Sequence, residues 1–177
     1  MTVLAAPDAY GALIEPATLK IERLLPGRIE RVWAYLTESD LRRKWLAAGV
    51  MKLEVGAPFE LVWRNHELTD PPGKRPPDKD EEHRMQSRIT ALDPPRRLAF
   101  TFQGGSEVSF ELEPVGDEVL LTVIHRRVPD RKMLIGVSSG WHAHLDVLVK
   151  RLKGETPPPF WDELTRLRQD YDRRLSA

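Results

Sequence analysis

The sequence predicts an α+β fold, an antiparallel sheet of short strands covered by one long helix near the C-terminus. Three observations carry that expectation. Between residues 18 and 128 apolar residues alternate with polar ones in successive short runs, the period of strands with one buried face. Tight turns rich in Pro and Gly join most of these runs, which argues for antiparallel pairing. Finally, Leu134, Val137, Trp141, Leu145, Leu148 and Leu152 recur at steps of three, four, four, three and four, one stripe of an α-helix.

The first run is Thr18 to Leu25, with Leu19, Ile21, Arg23 and Leu25 on one face. Arg23 therefore falls among apolar residues. Either it snorkels out at the strand end, which is the preferred reading, or it places a charged donor inside the fold. Ile29, Val32, Trp33 and Leu36 then mark a short amphipathic helix. Ser39 is the expected N-cap of a second short helix, LRRKWLA, that buries Leu41, Trp45 and Leu46. Met51, Leu53 and Val55 alternate, a Gly-Ala-Pro turn follows, and Phe59, Leu61 and Trp63 alternate again, which predicts a hairpin. Residues 65–82 hold four prolines and dense charge, and read as a mobile surface excursion; a lid over the open end of the sheet is the alternative.

Arg84 to Leu92 and Leu98 to Phe102 form the next pair, and Val108, Phe110 and Leu112 lead into a last strand, Val119 to Val128. That strand is apolar on both faces at its start, so it belongs in the middle of the sheet. The long helix runs from its cap Asp130 to Gly154, on the order of 33 Å at about 1.5 Å per residue. Gly136, Ser138, Ser139 and Gly140 make its first half thin. Close helix–sheet packing explains that, and so does a hollow beneath the helix walled by Trp141. Beyond a stiff linker, Glu155 to Pro159, Phe160, Trp161, Leu164, Leu167, Tyr171 and Leu175 share one side of a charged terminal helix. It is expected to dock on its own body, or else on a second subunit. The resulting division is an N-terminal extension (1–17), a domain (18–154) and a C-terminal linker and helix (155–177).

Bulk composition narrows function by exclusion. With 27 basic and 27 acidic residues, the 177-residue chain has no net charge and no broad basic field for nucleic acid or an anionic membrane. It has no Cys, which removes disulfides, thiolate metal sites and a Cys nucleophile. No run has the length of a membrane span, and residues 1–17 lack the charged start and apolar core of a signal peptide. A cytoplasmic, soluble protein is expected.

Candidate chemistry is sparse. His142 and His144 are two residues apart, about 200° around a helix, so they cannot chelate one ion together. His144 lies nearer the stripe and could reach a cavity, though a hydrogen-bonded, half-buried ring is the preferred reading. Ser138 and Ser139 lack the strand–turn–helix elbow of a hydrolase, and Gly104-Gly105-Ser106 is a hairpin turn rather than a phosphate loop. No metal, cofactor or catalytic residue is expected. The residues imply a binding domain.

The run KIERLLPGRIERVWAYLTESDLRRKWLA, through Arg23, Pro26, Val32, Trp33, Leu36, Thr37 and Trp45, resembles the opening of SRPBCC (START-like) proteins. The branch it resembles is that of the activators of the Hsp90 ATPase. EVSFELEPVGDEVLLTVIHRRV and GWHAHLDVLVKRLKG resemble the final hairpin and closing helix of the same family. The resemblance spans about residues 18 to 154 and implies a helix-grip fold, a curved sheet gripping the C-terminal helix around a hydrophobic cavity. The candidate wall is Arg23, Trp45, Trp63, Phe100, Phe110, Val137, Trp141 and His144. Relatives imply three functions: non-catalytic binding of a small hydrophobic molecule, a co-chaperone acting on an Hsp90-type ATPase, or a cyclase or hydrolase. The first is preferred, in a monomer or homodimer. Only 17 residues precede the first strand, so the separate N-terminal domain of the eukaryotic co-chaperones is not expected here.

Overall fold

The computed structural model describes residues 8–175. Residues 1–7, which carry part of the signal-peptide reading, and 176–177 lie outside the described residues. The strands are β1 (Ala12–Glu15), β2 (Thr18–Pro26), β3 (Pro58–Trp63), β4 (His83–Asp93), β5 (Arg97–Thr101), β6 (Glu107–Val115) and β7 (Glu118–Arg126). All pair antiparallel in one sheet, in the order β1-β2-β7-β6-β5-β4-β3. The helices are α1 (Ile29–Thr37), α2 (Ser39–Arg42), α3 (Arg131–Lys153) and α4 (Phe160–Arg174). This is the helix-grip α+β architecture, with α3 lying across the sheet.

β7 sits in the interior of the sheet between β2 and β6, as expected. Its inward side, ambiguous in the sequence, is Val119, Leu121, Val123 and His125, all buried. The caps of α3 follow the sequence: Asp130 accepts the Met133 N–H at 2.8 Å, and Gly154 takes a left-handed φ of 71°. Asp130 thus satisfies one donor that a helix start leaves orphaned.

Several expectations are corrected. β1 is an edge strand inside the segment read as an extension. All four of its residues are exposed, so it has no buried face to leave a pattern. Met51 to Val55 is not a strand, and it leaves Val50 86 % and Val55 60 % exposed. The chain there pairs with β3 through the isolated Ala48–Val62 bridge. Beyond that bridge Gly49 turns away, its N–H donating to Ser39 Oγ at 2.9 Å and its carbonyl accepting from Arg42. A Cβ on Gly49 would collide with the Glu60 carbonyl, so this close approach requires glycine.

Ser39 is accordingly not the cap of α2, a position held by Glu38. Regular helix ends at Arg42, and it is this arginine, 1 % exposed, that is buried rather than Leu41. Its guanidinium donates to the carbonyls of Leu36, Thr37, Ala47 and Gly49. Burial without a carboxylate lowers its pKa to about 10.

Arg23 is also inside. It is 6 % exposed and pairs with Asp146 of α3 at 3.0 Å, which rules out the snorkelling reading. The His142 ring approaches the other Asp146 oxygen at 3.4 Å. Burial alone would raise the Asp146 carboxyl; the His142 hydrogen bond and Arg23 outweigh it and hold the pKa below its ordinary value.

Residues 65–82 are anchored rather than free. Leu68 and Thr69 are buried. Thr69 Oγ1 accepts the Phe160 N–H, and the Pro72 carbonyl accepts the Trp161 N–H, both at 2.9 Å. Asp162 takes the Lys74 N–H, and Arg168 donates to both oxygens of Asp78 at 3.1 and 2.9 Å. Backbone groups and one ion pair make these ties, so no apolar pattern announces them. α4 itself packs against α3 of the same chain, burying Phe160, Trp161, Leu164, Leu167 and Tyr171.

Candidate functional site

The small residues in the first half of α3 decide the site. A Cβ built at Gly136 or Gly140 meets no atom within 4 Å. Close helix–sheet packing therefore does not explain these glycines. They stand over open space, a cleft of about 740 Å³, within the range of small-molecule sites. Its sheet side holds Trp63 and Phe102, its helix side Ile135, Val137 and Trp141. The anchored loop and α4 complete the wall with Asn65, Lys79, Phe160, Trp161 and Leu164.

Of the sequence candidates, Trp63, Val137, Trp141 and His144 lie on this wall. Arg23, Trp45, Phe100 and Phe110 do not. Arg23 is taken by Asp146. The other three pack in the core, Phe110 lying 5.6 Å from Phe100 and 6.3 Å from Trp45 between ring centroids. Alternation puts a residue on the inward face but does not tell a filled stretch of that face from a hollow one. The loop and tail residues of the wall were missed as cavity candidates. For the tail the available signal was the Phe160–Trp161 pair right after the proline linker.

Trp141 joins packed core to cleft. Its ring meets Phe110 edge to face at 5.6 Å, and its indole N–H donates to His125 Nδ1 at 3.0 Å. His125 Nε2–H then donates to Ser106 Oγ at 2.9 Å, and Ser106 donates to the Gln103 carbonyl at 2.6 Å. Because a carbonyl only accepts and an indole only donates, the direction of this chain is fixed. Burial lowers the His125 pKa to about 4. The ring stays neutral and holds Trp141 in place.

His144 is 6 % exposed, more deeply buried than the half-buried ring expected. Its Nδ1 lies 2.8 Å from the Trp45 carbonyl and its ring 4.8 Å from Phe160 between centroids. Burial lowers its pKa to about 4 as well. His142 faces another way, toward Tyr171 Oη at 2.8 Å and the Tyr10 ring. Among the described residues no three His, Asp or Glu side chains are grouped to hold a metal ion. Nor is any described helix long and apolar enough to cross a membrane. Trp161 Nε1 and Asn65 Oδ1, both on wall residues, are buried without a protein partner.

The family model of the activator of Hsp90 ATPase homolog 1-like proteins matches residues 27–153. No curated protein matches the chain. Among solved structures, the protein encoded by BPP1335 of Bordetella parapertussis is 39% identical, with a TM-score of 0.79. That match covers 98% of this chain and 97% of the other. CalU16 of Micromonospora echinospora is 22% identical with a TM-score of 0.68, over 98% of this chain and 100% of its own. A conserved protein of unknown function, EF2215 of Enterococcus faecalis, is 20% identical with a TM-score of 0.66, over 91% and 86%. The last two share the fold. The cleft wall supplied by α4 lies beyond the residues that the family model matches. With that model spanning well over half of the sequence, and BPP1335 similar along nearly its whole length, the chain belongs to the activator of Hsp90 ATPase homolog 1-like family of SRPBCC proteins.

Proposed function

We propose that the protein binds a small hydrophobic molecule in the cleft beneath the first half of α3 and does not transform it. The observation that carries this reading is the open space facing Gly136 and Gly140, in a cleft whose wall includes the aromatic and aliphatic side chains of Trp63, Phe102, Val137, Trp141 and Phe160. Apolar surface left unfilled in a folded core forgoes dispersion contacts that a ligand restores. Two histidines near the cleft are neutral, and one of them is occupied at both nitrogens, which fits binding better than proton transfer. The fluorescent probe 1-anilinonaphthalene-8-sulfonate tests the reading. It should light up on the native wild type and lose most of that signal with a folded Gly140→Leu variant. Equal signal from both proteins would place the probe elsewhere and count against the cleft.

A second reading, a co-chaperone acting on an Hsp90-type ATPase, rests on the family's description and on exposed Val50, Leu53 and Val55. Apolar side chains clustered on a surface mark contact sites. Added to an Hsp90-type ATPase, the protein should then raise ATP turnover, and Val50→Ser/Val55→Ser should remove the effect. No change in turnover would dismiss this reading.

A further inference from the structure

The polar groups on the cleft wall describe a ligand more closely than its apolar surface does. At the inner end stands His144, the last α3 residue on the wall. The Trp45 carbonyl can only accept, so His144 Nδ1 carries the proton and donates it there. The neutral ring keeps a lone pair on Nε2, for which the described residues provide no partner. Nε2 is not among the buried atoms left without a partner, and on a cleft-wall residue its lone pair is open to a donor supplied from the cleft.

At the outer end the wall carries Asp78, Lys79, Asp80, His83, Asp130, Lys132 and Arg168. Two of the acids are engaged, Asp78 by Arg168 and Asp130 by the start of α3. Asp80 is the remaining carboxylate. The three cations and three carboxylates of this end balance in number, but Lys79 and Lys132 make no ion pair among the described residues, so each ammonium is free to take an anion from the cleft. Burial, then the neighbouring Arg168, and Lys132 further off, hold the Lys79 pKa below its ordinary value despite Asp78. Lys79 and His144 line the same cleft.

We propose that the ligand is a small aromatic hydroxy acid: its hydroxyl donates to His144 Nε2, its flat body lies among Trp63, Phe102, Trp141 and Phe160, and its carboxylate pairs with Lys79. The assignment rests on the cleft being a binding site. The inner end is uncharged and the aromatic wall offers a carboxylate no cation, only the unpartnered Trp161 N–H, so the acid points outward. Aromatic rings on the wall match a flat ring system better than a flexible chain.

Four probes on the full-length protein separate the parts of this assignment: 6-hydroxy-2-naphthoic acid, 2-naphthoic acid, 2-naphthol and 2-methylnaphthalene, followed by tryptophan fluorescence. The hydroxy acid should bind about tenfold tighter than either single-function compound. His144→Leu should erase the advantage of the hydroxyl and leave that of the carboxylate. Lys79→Met, on a partly exposed loop where folding is not at risk, should do the reverse. Equal affinity for the hydroxy acid and 2-methylnaphthalene would overturn the assignment and leave a plain hydrophobic cleft standing. So would a carboxylate preference unchanged by Lys79→Met. If none of the four binds, including 2-methylnaphthalene, the cleft reading fails as well.

Discussion

The two halves of α3 carry the same apolar stripe and meet opposite surroundings. From Trp141 onward, Leu145, Leu148 and Leu152 are buried against the sheet. Before it, Leu134, Ile135 and Val137 are only half-buried, and Gly136 and Gly140 face open space. Side-chain size makes the difference, since the apolar spacing runs through both halves. One helix thus seals a core with its second half and roofs a cleft with its first. Trp141 is the boundary, fixed by the hydrogen-bonded chain through His125 and Ser106.

The strongest break of this comparison is at the boundary itself. Trp141→Ala should cost about 3–5 kcal/mol, because it removes core packing and leaves His125 Nδ1 without its donor. Val137→Ala, on the cleft side, should cost less than about 1 kcal/mol. Urea unfolding measures both, and similar costs would mean that the halves do not differ in packing.

Acid should act next, through the histidines on either side of Trp141. His125 and His144 hold pKa values of about 4 when folded, against an ordinary 6.5. Between those values the unfolded chain binds protons that the folded protein refuses, so stability falls as pH drops from about 6.5 towards 4. Above 6.5 these rings add no pH dependence. Each should account for on the order of 3 kcal/mol over that window. His125→Gln and His144→Gln should each flatten the slope of unfolding free energy against pH, and an unchanged slope would mean that the rings titrate normally.

The smallest effect has the opposite sign. Gly136→Ala and Gly140→Ala should each raise stability by about 0.5–1 kcal/mol, since alanine favours helix and its methyl group enters open space. A loss of stability would mean that the glycines are there for close packing.

How much of this was legible depends on which signal each part leaves. α3, its caps and the tail stripe were readable because burial on one side of a helix repeats every three to four residues. β1 was not, because an edge strand with no buried face repeats nothing. Met51 to Val55 alternates like a strand, but Gly49 leads it away from a partner. Arg42 in LRRKWLA looks like a surface cation, and only the fold shows four carbonyls converging on it. The thin stretch Gly136 to Gly140 was visible, but close packing and a hollow leave the same sequence. The cleft's outer wall depends on backbone ties between residues 68–74 and α4, which composition does not encode.

Everything proposed for the cleft depends on open apolar space beneath Gly136 and Gly140. A crystal of the full chain under pressurised xenon tests this directly, because xenon settles in dry apolar hollows. Xenon should appear between Gly140, Trp141 and Phe160 in the wild type and be absent from a Gly140→Leu crystal. A wild-type crystal without xenon there, with Trp63 or Phe160 packed onto the two glycines, would contradict the cleft.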